Sequence, residues 1–241
     1  MKKILFIALS SLIVTSIFAQ DSTYHSPKKT SNLSGRANDH FLLQFGVTNW
    51  AGRTDSMHIK GFSRSFNMYL MFDFPFKSNP KLSVGIGAGV GADNINFNKT
   101  YVGIKDATPT IQIQDLSDTT HFKKYKLATA ILEAPVELRF SSKPETPNKS
   151  LKAALGIKAG VLLNAHTKGK IWQSSTGATL IDYTEKQTSK RFFNSNRFVA
   201  TARIGYGVIS LFGSYQLNPV FKEGLGPDVR PYTIGLTLSG L

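Results

Sequence analysis

Six ionisable side chains in this 241-residue chain are the ones whose types and positions could do chemistry: Asp73, Glu133, Glu137, Arg139, Lys158 and Arg203. Each falls within an alternating segment, on the face that otherwise carries small or uncharged polar residues such as Gly85, Ser83, Asn67 and Thr201. Carboxylates and cations sharing one narrow face support a structural ionic network that satisfies buried charge, or a gate or proton path. The structural network is the expectation adopted for all six. A symmetric closure of the turn at 141–150 pairs positions that sum to 291, which sets Glu133 opposite Lys158 and Arg139 opposite Lys152.

Other motifs give no catalytic, cofactor or metal residue. Gly85-Ile-Gly87-Ala-Gly89-Val-Gly91 has a G-x-G-x-G-x-G spacing with no helix pattern after it, unlike the dinucleotide fingerprint. Glycine at every second position means a strand face without side chains. His25, His40, His58, His121 and His166 fall in the polar lead-in or in connections, with no H-E-x-x-H pair for zinc. There is no cysteine, hence no thiolate ligand or Cys nucleophile, and no G-x-S-x-G elbow. The chain is therefore expected not to be an enzyme. A membrane-embedded Ser/His hydrolase is the enzymatic alternative.

The elements that position the six charges read as eight period-2 segments, near 41–49, 65–75, 81–93, 125–140, 151–163, 197–206, 209–217 and 231–240, the signature of strands. One face of each is apolar, as in Phe66, Met68, Leu70, Phe72 and Phe74, or Leu151, Leu155, Ile157 and Val161. The other face carries far fewer Lys and Glu than a solvated strand does. Connections alternate between short (77–81, 141–150, 207–208) and long (50–64, 94–124, 164–196, 218–230). Short turns on one rim, long loops on the other and an apolar outer face predict an all-β, eight-stranded antiparallel up-and-down transmembrane β-barrel with a lumen filled by side chains. Pro135 is expected at a bulge or facing the lumen. Phe41, Trp50, Phe74, Phe140, Phe198, Tyr206 and Tyr232 are candidates for interfacial aromatic girdles.

Composition agrees. Charged residues make up 18% of the chain. That is below the roughly 25% of an ordinary soluble domain. The net charge of +14 is spread over connections with no dense run, which argues against nucleic acid and favours anionic headgroups and lipopolysaccharide as partners. Residues 1–20 have Lys2 and Lys3 followed by an apolar stretch, Ile4 to Phe18. This stretch is shorter than the roughly 20 residues of a spanning helix. Residues 1–20 read as a cleavable signal peptide of the general secretory pathway. Residues 21–40 read as a flexible periplasmic segment, and 41–241 as the barrel.

Leu132-Glu133-Ala134-Pro135-Val136-Glu137-Leu138-Arg139-Phe140, Gly156 to Leu163 and the closing Gly235-Leu236-Thr237-Leu238 resemble the PorT-like outer-membrane β-barrel family of the Bacteroidetes type. The resemblance implies an outer-membrane barrel, with protein export as the role of one branch, and implies no catalytic residue. The expected function is a structural, interaction or protein-export accessory role carried by the long extracellular loops, with protein partners in the cell envelope or secretion machinery. The alternative is a soluble lipocalin-like ligand-binding barrel, which needs an apolar lumen and a charged exterior.

Overall fold

The computed structural model describes residues 40–60 and 62–240. The expected signal peptide and, apart from His40, the periplasmic lead-in lie outside the described residues, as does His25. Eleven strands follow: β1 (Phe41–Ala51), β2 (Arg64–Pro75), β3 (Leu82–Phe97), β4 (Thr100–Gly103), β5 (Gln112–Asp115), β6 (His121–Ser141), β7 (Leu151–Gln173), β8 (Thr179–Thr188), β9 (Asn196–Tyr206), β10 (Ile209–Gln216) and β11 (Arg230–Ser239).

Eight of them form a closed antiparallel circuit: β1–β2–β3–β6–β7–β9–β10–β11 and back to β1. Closure leaves no unpaired edge within the ring, which is what a strand structure needs where no water is present to satisfy its backbone. β8 pairs with the upper part of β7, and β4 pairs with β5 in a separate hairpin. The turns on one rim are short. In the tightest, Gly207 has φ of 61°, and a Cβ there would lie 2.7 Å from the Asn148 carbonyl oxygen. Both backbone shape and space therefore call for glycine at this corner.

The expected long loops at 94–124 and 164–196 are largely strand. β3 continues to Phe97, β6 begins at His121 and β7 runs to Gln173, while β4, β5 and β8 lie within the remainder. The reason is a reversal of polarity along the wall. In β3 the outward positions are apolar up to Ala92 and then become Asn94 and Asn96. The inward positions are small or polar up to Asp93 and then become Ile95 and Phe97. The backbone alternation continues while the apolar face changes sides, so the sequence pattern loses its phase where the strand does not end.

On the lower wall the apolar side chains point outward. Phe72, Ile157 and Leu236 are 60%, 61% and 54% exposed. Inside are Gln44, Thr237, Ser83, Glu133, Glu137 and Arg203, all buried. This polarity is the inverse of a lipocalin's. Above it the arrangement is conventional: Trp50, Phe97, Tyr125, Leu127, Phe193 and Phe221 belong to a buried apolar core that caps the ring. Trp50, expected in an outer girdle, is 3% exposed and packs edge-on against Phe97 and Phe221 inside this cap. The inward phase of β1 carries it there, past the level at which the interior turns apolar.

Pro135 faces the lumen. The β3–β6 register runs from Ile86↔Val136 to Gly89↔Glu133 with no shift, and the ladder skips the position of Pro135. Proline lacks the N–H that this rung would use.

Candidate functional site

All six charged residues singled out in the sequence lie inside the ring, in two groups. In the lower group, the Glu137 carboxylate accepts hydrogen bonds from Arg139 Nε at 2.9 Å and Arg203 Nη2 at 3.0 Å. Arg139 also approaches Asp73 at 3.7 Å, and Asp73 accepts a bond from the Ser83 hydroxyl at 2.7 Å. In the upper group, Glu133 accepts from the Tyr69 hydroxyl and lies 3.9 Å from Lys158 Nζ. Lys158 donates to the Tyr69 oxygen at 2.8 Å and to Gln44 at 3.1 Å, and Gln44 in turn donates to Thr237 at 3.2 Å. Arg197 joins the top, 2.8 Å from Asp93 and 3.5 Å from Glu133. Charge burial on this scale requires pairing, because an isolated ion out of water is very costly.

The glycines give this network its room. Glu137 stands between Gly85 on β3 and Gly156 on β7, and Glu133 between Gly89 and Gly160. A Cβ at Gly85 would meet the Arg139 guanidinium, and one at Gly91 would lie 2.7 Å from Asn67 Oδ1 and 3.3 Å from the Glu133 carboxylate. The alternation of glycines down β3 thus clears the path of the long charged side chains on β6.

The β6–β7 register differs from the symmetric expectation. Paired positions sum to 293, so Glu133 pairs with Gly160, Pro135 with Lys158, and Arg139 with Ala154 instead of Lys152. The two-residue offset keeps every side chain on its expected face. Lys158 therefore reaches Glu133 diagonally, across the strand pair. The offset follows from the turn: a 3-10 turn at Pro147–Lys149 and the Ser142–Ser150 hydrogen bonds take the reversal further along the chain. Arg197, Asp93, Tyr69 and Gln44 complete the network and were not among the six. Arg197 shares the parity of Arg203, and that signal was present in the sequence.

Where the lumen meets the cap, a cavity of about 40 Å³ is lined by the charged Asp93 and Arg197 and by the apolar Trp50, Ile131 and Phe193. It has room for a water or two and nothing larger. The histidines are dispersed. His58 contacts Asp115 at 3.0 Å on the surface, where first the Ser117 hydroxyl and then His58 hold the Asp115 carboxyl down at about 2. His40 Nδ1 lies 2.9 Å from the Met71 carbonyl oxygen, and His121 Nδ1 lies 3.0 Å from that of Thr119. Among the described residues no three His, Asp or Glu side chains converge as metal ligands would.

An outward apolar wall around a charged interior is the polarity of a structure that lives in hydrocarbon, and the sequence profile of the outer membrane protein beta-barrel domain matches residues 18–237. The chain belongs to that family. None of the curated proteins matches it in sequence. The barrel is thus an outer-membrane protein. Five of the aromatics expected in a girdle lie exposed on its outer wall. Phe74, Phe140, Phe198, Tyr206 and Tyr232 are all 38% exposed or more.

Proposed function

We propose that this outer-membrane barrel is a sealed, non-enzymatic interaction protein whose extracellular cap engages protein partners of the cell envelope, with protein export as its accessory role. The observation that carries the reading is the filled interior. The paired charges from Asp73 up to Asp93 occupy the lumen, and the apolar core around Trp50 and Phe221 closes it above. A ring of eight strands is only just wide enough for side chains, so the working surface is the outside of the cap. Long connections of such barrels face outward from the cell.

β8 offers a partner the best purchase. One of its edges pairs with β7 and the other has no strand beside it among the described residues. Leu180, Ile181 and Tyr183 on it are 53%, 58% and 39% exposed. An open edge with exposed apolar side chains is what a partner strand adds to. The resemblance to PorT-like barrels supports export as the process served. The basic stretch before residue 20 supports delivery by the general secretory pathway and cleavage near that point.

The test has two parts. The refolded barrel in a planar bilayer should show no steady ion conductance, and stable open channels would overturn the sealed reading. In the native bacterium, Ile181→Asp should leave the heat-dependent gel mobility of the barrel intact while reducing the proteins exported to the medium. Unchanged export, with the variant folded in the outer membrane, removes the accessory role.

A further inference from the structure

The outer wall carries a basic groove just above its apolar belt. It has a volume of about 510 Å³ and is lined by Lys60, Arg64, Lys124, Lys126, Lys168 and Lys170, with no carboxylate among the lining residues. Its register is unfavourable for a protein alone. Lys124 is paired directly with Lys170 and Lys126 with Lys168, and Lys168 is paired again with Lys186 on β8. Like charges directly opposite one another across a strand pair destabilise a sheet. The Lys126 amine donates to the side-chain oxygen of Asn94 at 2.6 Å, a neutral partner. Such a ladder of cations is short of an anion.

Its height on the wall says which anion. Along β6 the outward residues from Phe140 to Ala130 are apolar. At about 3.3 Å per residue and a tilt of roughly 40° they cover about 25 Å, the height of an outer-membrane apolar band. Lys126 lies about 10 Å higher by the same measure, at the level of lipid headgroups. The β7 bulge at Leu163 marks the boundary on the neighbouring strand: Val161 and Leu163, both 50% exposed, lie below it, and Lys168 and Lys170 above. Phe62, 62% exposed with the Arg64 guanidinium 4.7 Å from its ring centre, flanks the groove.

We propose that the groove binds the phosphorylated sugar headgroup of an outer-leaflet glycolipid, with its phosphates between Lys126, Lys168 and Lys170 and its acyl chains on the apolar wall below. A single lipid then satisfies both halves of the surface. The inference depends on the membrane position of the barrel and not on the role proposed for its cap, so either can fail without the other.

The test uses the whole barrel refolded in detergent, with a bisphosphorylated acylated glucosamine disaccharide as probe, read by native mass spectrometry. Lys126→Gln/Lys168→Gln/Lys170→Gln should lose about a hundredfold in affinity, at roughly a factor of five per cation near a charged surface. The Lys→Arg triple variant should bind, as should Lys81→Gln/Lys143→Gln/Lys149→Gln on the opposite rim. The dephosphorylated lipid should bind the wild type as weakly as the intact lipid binds the Gln variant. In zwitterionic vesicles without the probe, the Gln variant should unfold at higher urea than the wild type, since repulsion has been removed. A merely structural role for these lysines gives the opposite shift. Retained affinity in the Gln variant, or equal binding of the dephosphorylated lipid, overturns the proposal. Competition by inorganic pyrophosphate as effective as that of the lipid would make this a site for a soluble anion and overturn the lipid assignment.

Discussion

Replacing Glu137 with alanine is the sharpest perturbation of the lumen. Its carboxylate accepts from Arg139 at 2.9 Å and from Arg203 at 3.0 Å, and all three side chains are buried. Removing it leaves two guanidinium groups facing each other across the space it filled. A charge-assisted hydrogen bond contributes about 1.5–3 kcal/mol, so two give about 3–6 kcal/mol before relaxation. Arg139 keeps Asp73 at 3.7 Å, which offsets part of the loss, whereas Glu137 is the acid that Arg203 contacts. The expected destabilisation is about 4 kcal/mol, within the range for breaking a buried ion pair. Arg203→Met should cost less, about 2 kcal/mol, because Glu137 retains Arg139 and the lost group leaves no orphaned cation. Glu137→Ala/Arg203→Met should recover part of the single Glu137 loss, since both charges go together. The assay is urea unfolding of the barrel in lipid vesicles, followed by the gel shift between folded and unfolded forms. A Glu137→Ala loss below about 1 kcal/mol, or additivity in the double variant, refutes the view that this pair organises the lumen.

Three further outcomes follow from the same geometry. At Gly89 an added Cβ would collide with the Met68 backbone oxygen and lie 2.5 Å from the Tyr69 ring, while Gly213 has open space around it. Gly89→Ala should therefore destabilise the barrel by about 1–3 kcal/mol, and Gly213→Ala should be neutral in the same unfolding assay. Ile157→Arg on the outer wall should cost about 2–4 kcal/mol in vesicles if it lies at the bilayer midplane, whereas Leu151→Arg at the lower end of the same strand should cost under about 1 kcal/mol; equal costs would contradict the placement of the belt. Tyr101 in β4 is buried in part and donates to Asp106 at 2.8 Å, and burial followed by that carboxylate raises its pKa. The neutral phenol is therefore favoured in the folded cap, a contribution present below about pH 10 and lost as pH rises through the elevated folded value. The ultraviolet difference titration between wild type and Tyr101→Phe should show Tyr101 ionising above about pH 10, and ionisation at or below that value would refute the contact.

The lower wall was legible because hydrocarbon imposes one rule on every strand. Phe66, Met68, Leu70 and Phe72 repeat every second residue on β2, and Ser65, Asn67 and Tyr69 fall between them, with Met71 as the one apolar inward residue, packed beside Leu42 and Tyr69. The upper wall was not legible, since Ile95 and Phe97 on β3, and Tyr125 and Leu127 on β6, carry the apolar phase on the inward face. A reader who tracks one apolar face meets a break at 93–94 and ends the strand there. Trp50 was misplaced for the same reason.

By itself, the sequence determined the period-2 strands, their outward apolar faces and the parity that sends Asp73, Glu133, Glu137, Arg139, Lys158 and Arg203 inward, because side-chain direction in a strand is fixed locally. Which charge meets which was decided only by the tertiary structure. A shift of two residues in the β6–β7 pairing preserves every face and every pattern, yet sets Glu133 beside Gly160 and brings Lys158 to it across a diagonal. Register, ring closure and the lysine ladder on the outer wall depend on how a turn folds and on contacts between strands far apart in the chain, and no local pattern encodes those distances.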